Sequence, residues 1–291
     1  MAEALYGKRG YYTSPRPILG SRGDFTTTPK LNHTVAQHIA RWISEAWQRQ
    51  GHKLPIIELG PGDGTLAHDI RHSFNFLVRR KIDYHFVEIS PHLAQRQQEK
   101  NQNKGTWHPT LAEALTQTNG QALIISNEFF DAFPVRIFNQ DLEELHLDSQ
   151  LQEIWQPAID HPDSLLFKNP PTRFEIPQSI HHWMQSDLSQ LKKGEILTID
   201  YGGNATENYH RRPLGTLRAY AHHMRLHPPE AYQNPGHQDL TFDIHFDDLI
   251  HWSKPLGLKT INLTTQAKFL NLPEKEDYHQ HFKVLHQTTS I

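Results

Sequence analysis

The 291-residue sequence has no cysteine, which excludes disulfides and thiolate metal sites. It has little excess charge of either sign, with 29 basic residues against 32 acidic ones and a formal net charge of -3. That balance supplies no general pull toward nucleic acid or an anionic membrane. Long apolar runs are missing too. Only 36% of residues are apolar, and no stretch approaches the roughly 20 residues of a membrane-spanning helix. The segment Met1-Ala2-Glu3-Ala4-Leu5-Tyr6-Gly7-Lys8-Arg9 has no apolar leader core. These absences predict a soluble, cytoplasmic protein with no membrane partner. Histidine, by contrast, is abundant at 22 residues. The histidines are scattered, with pairs at His181-His182 and His222-His223 and no His-Glu-x-x-His motif, so no metal site is expected.

The most informative stretch is Glu58-Leu59-Gly60-Pro61-Gly62-Asp63-Gly64. A short apolar run, Pro55-Ile56-Ile57, enters it, and a helical pattern from Thr65 leaves it. Alternating glycines let the backbone bend sharply and approach a ligand without a Cβ in the way. The spacing is Gly-x-Gly-x-Gly, tighter than the Gly-x-Gly-x-x-Gly of dinucleotide folds. A tighter loop suits a ligand with an amino-acid tail, such as S-adenosylmethionine. A tight turn bearing a solvated acid is the competing reading.

Strands and helices alternate around this loop. Val35, Ile39, Trp42, Ile43, Ala46 and Trp47 form one helical face, and Gly51 ends that helix. A strand is expected over 55–60 and a helix over 65–80, with Leu66, Ile70, Phe74 and Leu77 facing the core. Tyr84-His85-Phe86-Val87-Glu88 reads as a second strand, followed by a helix capped by Ser90 with Pro91 in its first turn. Ala122–Ser126 is a continuous apolar run and hence a buried strand. Another strand over 195–200 follows a helix near 178–193. Residues 136–176 carry short alternating runs between prolines, which predict an antiparallel insertion. The stretch 203–240 shows little periodicity. A helix near 245–255 and a strand near 258–264 follow, and the polar last dozen residues are expected to fray. The alternation predicts an α/β fold with a mostly parallel sheet and helices on both faces.

In such sheets ligands bind at the carboxyl ends of strands. Gly60, Gly62 and Gly64 would shape a cofactor pocket, and Glu58 would help fix the ammonium of its methionine tail. Glu88, at the next strand end, is placed to accept both ribose hydroxyls, although a strand-end glutamate taken alone is usually a surface charge. Asn127-Glu128-Phe129-Phe130-Asp131-Ala132-Phe133-Pro134 sets two acids and an amide among aromatics after the buried strand. Charges there are costly unless solvated or paired, so they suggest a cleft for a cation or a donor group. A helix cap beside a core aromatic pair is the alternative. Asn127–Phe130 is also similar, without its prolines, to the Asn-Pro-Pro-Tyr element with which amino-methylating enzymes grip an NH2 group. Asp200-Tyr201-Gly202 is a candidate lining for the acceptor side, or a simple strand-to-loop turn.

Together these motifs resemble the MidA-like S-adenosylmethionine-dependent methyltransferases. That family includes the mitochondrial complex I assembly factor described as a protein arginine methyltransferase. The resemblance runs through Gly10-Tyr11-Tyr12-Thr13, Gly23-Asp24-Phe25-Thr26-Thr27-Thr28-Pro29, the glycine loop with Thr65-Leu66, Val87-Glu88-Ile89-Ser90-Pro91 and Trp107-His108. It continues through Asn127–Arg136, Asp200-Tyr201-Gly202, Gly215-Thr216-Leu217, Asp239-Leu240-Thr241 and Thr265-Gln266 with Phe269-Leu270. It implies a class I methyltransferase fold with a Rossmann-like, seven-stranded sheet over 33–291, an insertion at 136–176 and a family-specific segment at 203–240. It also implies that an N-terminal arm, residues 1–32, belongs to the active-site region. S-adenosyl-L-methionine is the implied cofactor and a protein arginine side chain the implied acceptor, in a partner such as a respiratory-complex subunit under assembly.

Guanidinium stays protonated in proteins, so carboxylates must hold its fork and receive a proton. Asn127, Glu128 and Asp131 are the catalytic candidates. Asn127 joins Glu58, Gly60, Gly62, Gly64 and Glu88 as a cofactor-binding candidate. Two departures from the family stand out. The family reads His-Val-Asp-Phe where this chain has Asp243-Ile244-His245-Phe246, so neither Asp243 nor His245 is given a catalytic role. Part of the segment that usually precedes Gly-Tyr-Tyr-Thr is also absent. The double-glutamate signature of the better-known arginine methyltransferases does not occur. Methylation of another nitrogen, or a non-catalytic scaffold that keeps the cofactor fold, are the alternatives. Oligomeric state cannot be read from the sequence.

Overall fold

The computed structural model describes residues 1–13, 33–221, 224–273 and 281–289. The Gly23–Pro29 motif and the His222-His223 pair lie outside them. The chain divides into two compact units. One comprises Thr26–Phe129, Met184–Asp200 and Ser253–Ile291, and the other Met1–Phe25, Phe130–Trp183 and Tyr201–Trp252.

The first unit is built on seven strands: β1 (Ile56–Leu59), β2 (Tyr84–Val87), β3 (Thr106–His108), β4 (Gln121–Asn127), β5 (Lys193–Gly203), β6 (Leu258–Thr265) and β7 (Phe282–Thr289). Their order in the sheet is β6-β7-β5-β4-β1-β2-β3. The pairs β1–β2, β1–β4, β2–β3 and β4–β5 are parallel, and β6–β7 is antiparallel. This is the mostly parallel sheet expected from the alternation, with the short strand Ile244–His245 pairing parallel with Gly202-Gly203 of β5 as an eighth member. All four residues of β1 and all four of β2 are buried, as befits strands covered on both faces.

The helix His33–Gln50 buries the expected face, Val35, Ile39, Trp42, Ile43, Ala46 and Trp47. Each of the larger side chains among them contributes roughly 1.5–3 kcal/mol of burial, and Ala46 less. Ser90 caps Pro91–Lys100, accepting the Leu93 N–H, with Pro91 in the first turn. The helix expected over 65–80 is broken. It runs Thr65–His72 and resumes as the short helix Phe76–Arg79. Ser73 Oγ donates back to the Asp69 carbonyl at 2.9 Å, and Asn75 caps the new start by accepting the Val78 N–H at 3.0 Å. Local side-chain bonds of this kind compete with helix continuation. Leu77 is consequently 74% exposed rather than in the core. The helix expected near 178–193 is shorter, Gln178–Ser186, with a 3-10 turn at Leu188–Gln190.

The tail also departs from expectation. Far from fraying, Phe282–Thr289 forms β7, between β5 and β6 in the sheet, with Phe282, Val284 and Leu285 buried. Three apolar residues suffice because the neighbouring strands supply both hydrogen-bonding edges.

The second unit holds the antiparallel insertion. Strands Arg136–Asn139, Glu143–Leu147, Glu153–Pro157 and Arg173–Ile176 form a four-stranded antiparallel sheet around Phe138, Leu166, Phe174 and Ile176. The stretch that lacked periodicity contains a helix, Ala205–Tyr209, and a three-stranded antiparallel sheet of Met224–Leu226, Arg218–Ala221 and Asp239–Thr241. Leu5 and Tyr11 of the N-terminal segment are buried with Ala219, Ala231 and Leu240 of this second unit.

Candidate functional site

Strand order reverses between β1 and β4, so the loops after these strands flank the switch point where open parallel sheets bind ligands. After β1, Gly60, Gly62 and Gly64 have φ values of +56°, +58° and +79°. At Gly60 and Gly64 space as well as backbone demands glycine. A Cβ on Gly60 would meet Phe129 Cδ2 at 2.9 Å, and one on Gly64 would meet Asn101 Nδ2 at 2.8 Å. Asp63 ties the loop to the following helix, its Oδ1 accepting the Thr65 N–H at 3.2 Å and hydroxyl at 2.7 Å.

Glu58 is 2% exposed. The Tyr84 hydroxyl of β2 donates to its Oε2 at 2.7 Å. Burial pushes the Glu58 carboxyl up to about 7, against the lowering by that bond and with help from the Asp63 charge. A carboxyl so poorly compensated is a ready partner for an ammonium group.

Glu88 follows β2 and is half-buried. Its Oε1 accepts the Ser90 N–H at 2.8 Å and its Oε2 the Gln97 Nε2–H at 2.9 Å. Burial pushes it up to about 7, opposed by hydrogen bonds from Ser90, Gln97 and Ile89. Gln97 and Trp107 were not anticipated as site residues. For Trp107 the signal was its place in the Trp107-His108 motif of the resemblance, and for Gln97 its spacing four after Leu93 on a helix that starts beside Glu88. Trp107 donates to Gln97 Oε1 at 3.0 Å and stacks on Phe86 with centroids 4.5 Å apart.

Asn127 ends β4 and is 8% exposed. Its Nδ2 donates to Glu128 Oε1 at 3.2 Å. Its buried Oδ1 has no hydrogen-bond partner among the described residues. An orphaned buried acceptor costs roughly 1–3 kcal/mol and awaits a donor. Glu128 has φ of +49°, a strained conformation for a non-glycine residue and one that clusters at functional sites. Its N–H donates to the Ile199 carbonyl at 2.9 Å. Thus Asn127 and Glu128 are joined directly, and Gly60 lies against Phe129, the residue that follows them.

Asp131 belongs to the second unit, on the 3-10 turn Phe130–Ala132. Thr241 Oγ1 donates to its Oδ2 at 2.9 Å. Burial raises its carboxyl, the Thr241 bond and the Arg218 charge lower it, and Asp243 raises it. Close by in the chain, the Ala132 carbonyl accepts the Tyr6 hydroxyl at 2.9 Å. Tyr12, stacked on Tyr6, donates to Asp239 Oδ1 at 2.8 Å. Asp243, left without a role, is ion-paired to Arg212 and, at 2.6 Å, to Arg218. Its carboxyl lies below the usual range because the Arg218 and Arg212 charges outweigh burial. His245 Nδ1 lies 3.1 Å from Asp248 Oδ2. Gly215-Thr216-Leu217 is explained by Glu175, which accepts the Thr216 N–H at 2.9 Å and the Leu217 N–H at 3.1 Å.

The donor set of the first unit fits S-adenosylmethionine: an acidic partner for the ammonium in Glu58, an acceptor for the ribose diol in Glu88, a cradle at Gly60 that a Cβ would fill, and an orphaned carbonyl at Asn127. Residues 38–264 match a family described as "Putative S-adenosyl-L-methionine-dependent methyltransferase". The chain is similar to the protein arginine methyltransferase NDUFAF7 homolog, mitochondrial, of Drosophila melanogaster, with 28% identity over 88% of this chain and 66% of that one. The Homo sapiens protein arginine methyltransferase NDUFAF7, mitochondrial, is also 28% identical, over 83% of this chain and 61% of its own length. The chain thus spans less than two thirds of these relatives. A candidate methyl transferase from Burkholderia thailandensis, crystallised with S-adenosyl-homocysteine, shares the fold with a TM-score of 0.83 at 22% identity, over 99% of this chain and 86% of that one. The family match extends across most of the sequence, including every cofactor-binding candidate, and the chain belongs to this family of S-adenosyl-L-methionine-dependent methyltransferases.

Proposed function

We propose that the chain methylates a nitrogen of a protein partner, an arginine guanidinium, as a MidA-like member of its family. The observation that carries this reading is the pairing of Asn127 with Glu128: a buried amide carbonyl without a partner among the described residues, hydrogen-bonded through its NH2 to a glutamate in a strained backbone conformation. The unpaired carbonyl is suited to an N–H donor, and the carboxylate to a cation that must lose a proton. The relatives named protein arginine methyltransferases support a guanidinium as that cation.

S-adenosylmethionine, when bound, supplies an activated methyl on a sulfonium. The chain's own residues do the rest. Glu58 pairs with the ammonium of the methionine tail, Glu88 accepts the ribose hydroxyls, and the glycine loop admits the ligand close to backbone. Asn127 and Glu128 orient the acceptor nitrogen for in-line attack. Glu128 is the proposed carboxylate for the guanidinium, with Asp131 a catalytic candidate of the second unit tested separately. Methylation of the guanidinium would release one proton from the acceptor nitrogen, and Glu128 would receive it.

The test is methyl transfer from labelled cofactor to arginine-, lysine- and glutamine-containing protein substrates, with the modified atom located by mass spectrometry. Label on arginine is expected, with Glu128→Gln and Asp131→Asn each losing transfer at least tenfold while still binding cofactor. Label on an amide or exocyclic amine instead would replace arginine with another nitrogen acceptor. No cofactor binding at all would favour a scaffold.

A further inference from the structure

Gln97 joins the separate parts of the cofactor-binding end of the first unit. It is 0% exposed, and its amide is fully engaged. Nε2 donates to the Gly62 carbonyl at 2.9 Å and to Glu88 Oε2 at 2.9 Å, while Oε1 accepts from Trp107 Nε1 at 3.0 Å. Rotating the amide by half a turn would set an oxygen against two acceptors, so Trp107 and the two acceptors fix its sense. The glycine loop presses on the same helix, since a Cβ on Gly64 would lie 3.1 Å from Gln97 Cα. One turn on, Asn101 Nδ2 donates both to the Gly64 carbonyl and to the Gln97 carbonyl, each at 3.1 Å.

We propose that Gln97 is a positioning residue for the cofactor: one amide group sets the Gly62 carbonyl and the Glu88 carboxylate relative to each other, so that loop and ribose acceptor meet the nucleoside as a single rigid surface. The inference rests on the S-adenosylmethionine reading of the site. Gln97 holds Oε2 and the Ser90 N–H holds Oε1, with the Ile89 N–H a further donor to the carboxylate, which leaves part of its lone-pair capacity for a ribose hydroxyl. The orientation of those free lone pairs is thereby fixed before the ligand arrives.

Charge adds a second consequence. The groups that face Glu88 are the N–H groups of Ser90 and Ile89 and the neutral Gln97 amide, all of which favour its ionised form against burial. From β3, the His108 carbonyl accepts the Glu88 N–H at 3.0 Å, and the His108 ring lies 2.9 Å from His85 Nδ1. Losing the Gln97 donor pushes the Glu88 carboxyl up further. The ionised carboxylate is the better acceptor for a diol, so cofactor affinity rises with pH as Glu88 ionises, over the same range in which Glu58 ionises to meet the ammonium.

The experiment is calorimetry of the full chain with S-adenosylhomocysteine between pH 6 and 9. Gln97→Met keeps the side-chain length and removes donor and acceptor. Trp107→Phe keeps an aromatic ring against Phe86 and removes the indole N–H together with part of the ring system. Wild type is expected to gain affinity through about pH 7 and level off. Gln97→Met is expected to bind about tenfold more weakly at pH 7, as befits one lost charge-assisted hydrogen bond, with its pH midpoint displaced upward. Trp107→Phe is expected to lose about threefold. Wild-type affinity and midpoint in Gln97→Met would overturn the inference. If that variant fails to fold, wild-type affinity in Trp107→Phe overturns it instead. Failure of wild type to bind at any pH would sink the cofactor reading itself, a distinguishable result.

Discussion

Two places in the first unit treat a buried glutamate in opposite ways. Glu195, near the start of β5, is 2% exposed yet fully matched. Arg49 donates from Nη2 at 2.7 Å and Nε at 3.1 Å, Gln50 at 3.2 Å, and His286 Nε2 lies 2.7 Å away. Burial alone would raise its carboxyl, but His286, Arg49 and Gln50 hold it down to about 2. Glu58 and Glu88, at the carboxyl ends of β1 and β2, have only neutral donors among the described residues and are pushed up to about 7. The same residue type fastens β5 and β7 to the first helix in one place, and in the other remains short of positive partners that a ligand can supply.

The contrast can be broken by substitution, beginning with the largest expected effect. Glu88→Ala removes the proposed ribose acceptor and should weaken S-adenosylhomocysteine binding about 100-fold at pH 8, read by calorimetry. Affinity within threefold of wild type would refute its role. Glu195→Ala should instead leave that affinity unchanged and cost about 2–3 kcal/mol of stability at pH 7, read by urea denaturation. Because its folded carboxyl is depressed, the Glu195 contribution is present above about 4.5 and is lost as pH falls through about 2. The gap between wild type and Glu195→Ala should therefore close in acid.

Glu58→Gln sharpens the comparison from the other side. The Glu58 carboxyl is raised, so its stabilising contribution is complete below about 4.5 and is lost as pH rises through about 7. The amide escapes that loss. Without cofactor, Glu58→Gln should exceed wild type in stability by on the order of 1–2 kcal/mol at pH 8 and match it at pH 4, while binding S-adenosylhomocysteine more weakly. Parallel stability curves from pH 4 to 8 would show that Glu58 is not poised as described. The smallest effect is expected for Gly60→Ala, where φ of +56° and a contact of 2.9 Å with Phe129 should cost about 1 kcal/mol. A fully stable Gly60→Ala with unchanged affinity would show that the loop adapts without penalty.

Much of the cofactor end was legible because its chemistry is contiguous. The glycine loop sits between its own strand and helix, and Glu88 between β2 and the Ser90 cap. The antiparallel insertion announced itself by alternation between prolines. What escaped depends on contacts between distant residues. Gln97 is an ordinary polar residue until Gly62, Glu88 and Trp107 converge on it. Asp131 reads as one of a pair with Glu128, yet its partner Thr241 is 110 residues away. The break at Ser73 and Asn75 turned on two side-chain bonds too local and too weak to override a good apolar period on paper. In β7, three buried apolar residues among polar ones gave no distinct signal, because the stabilising edges belong to β5 and β6.

By itself the sequence determined the alternating α/β architecture, the glycine-shaped turn after β1 and the acids at the carboxyl ends of β1, β2 and β4, since each depends on residues adjacent in the chain. Only the tertiary structure decided which of those acids would be neutralised and which left short of partners. That outcome is a matter of desolvation and of donors brought from elsewhere, and both exist only once distant segments have packed together.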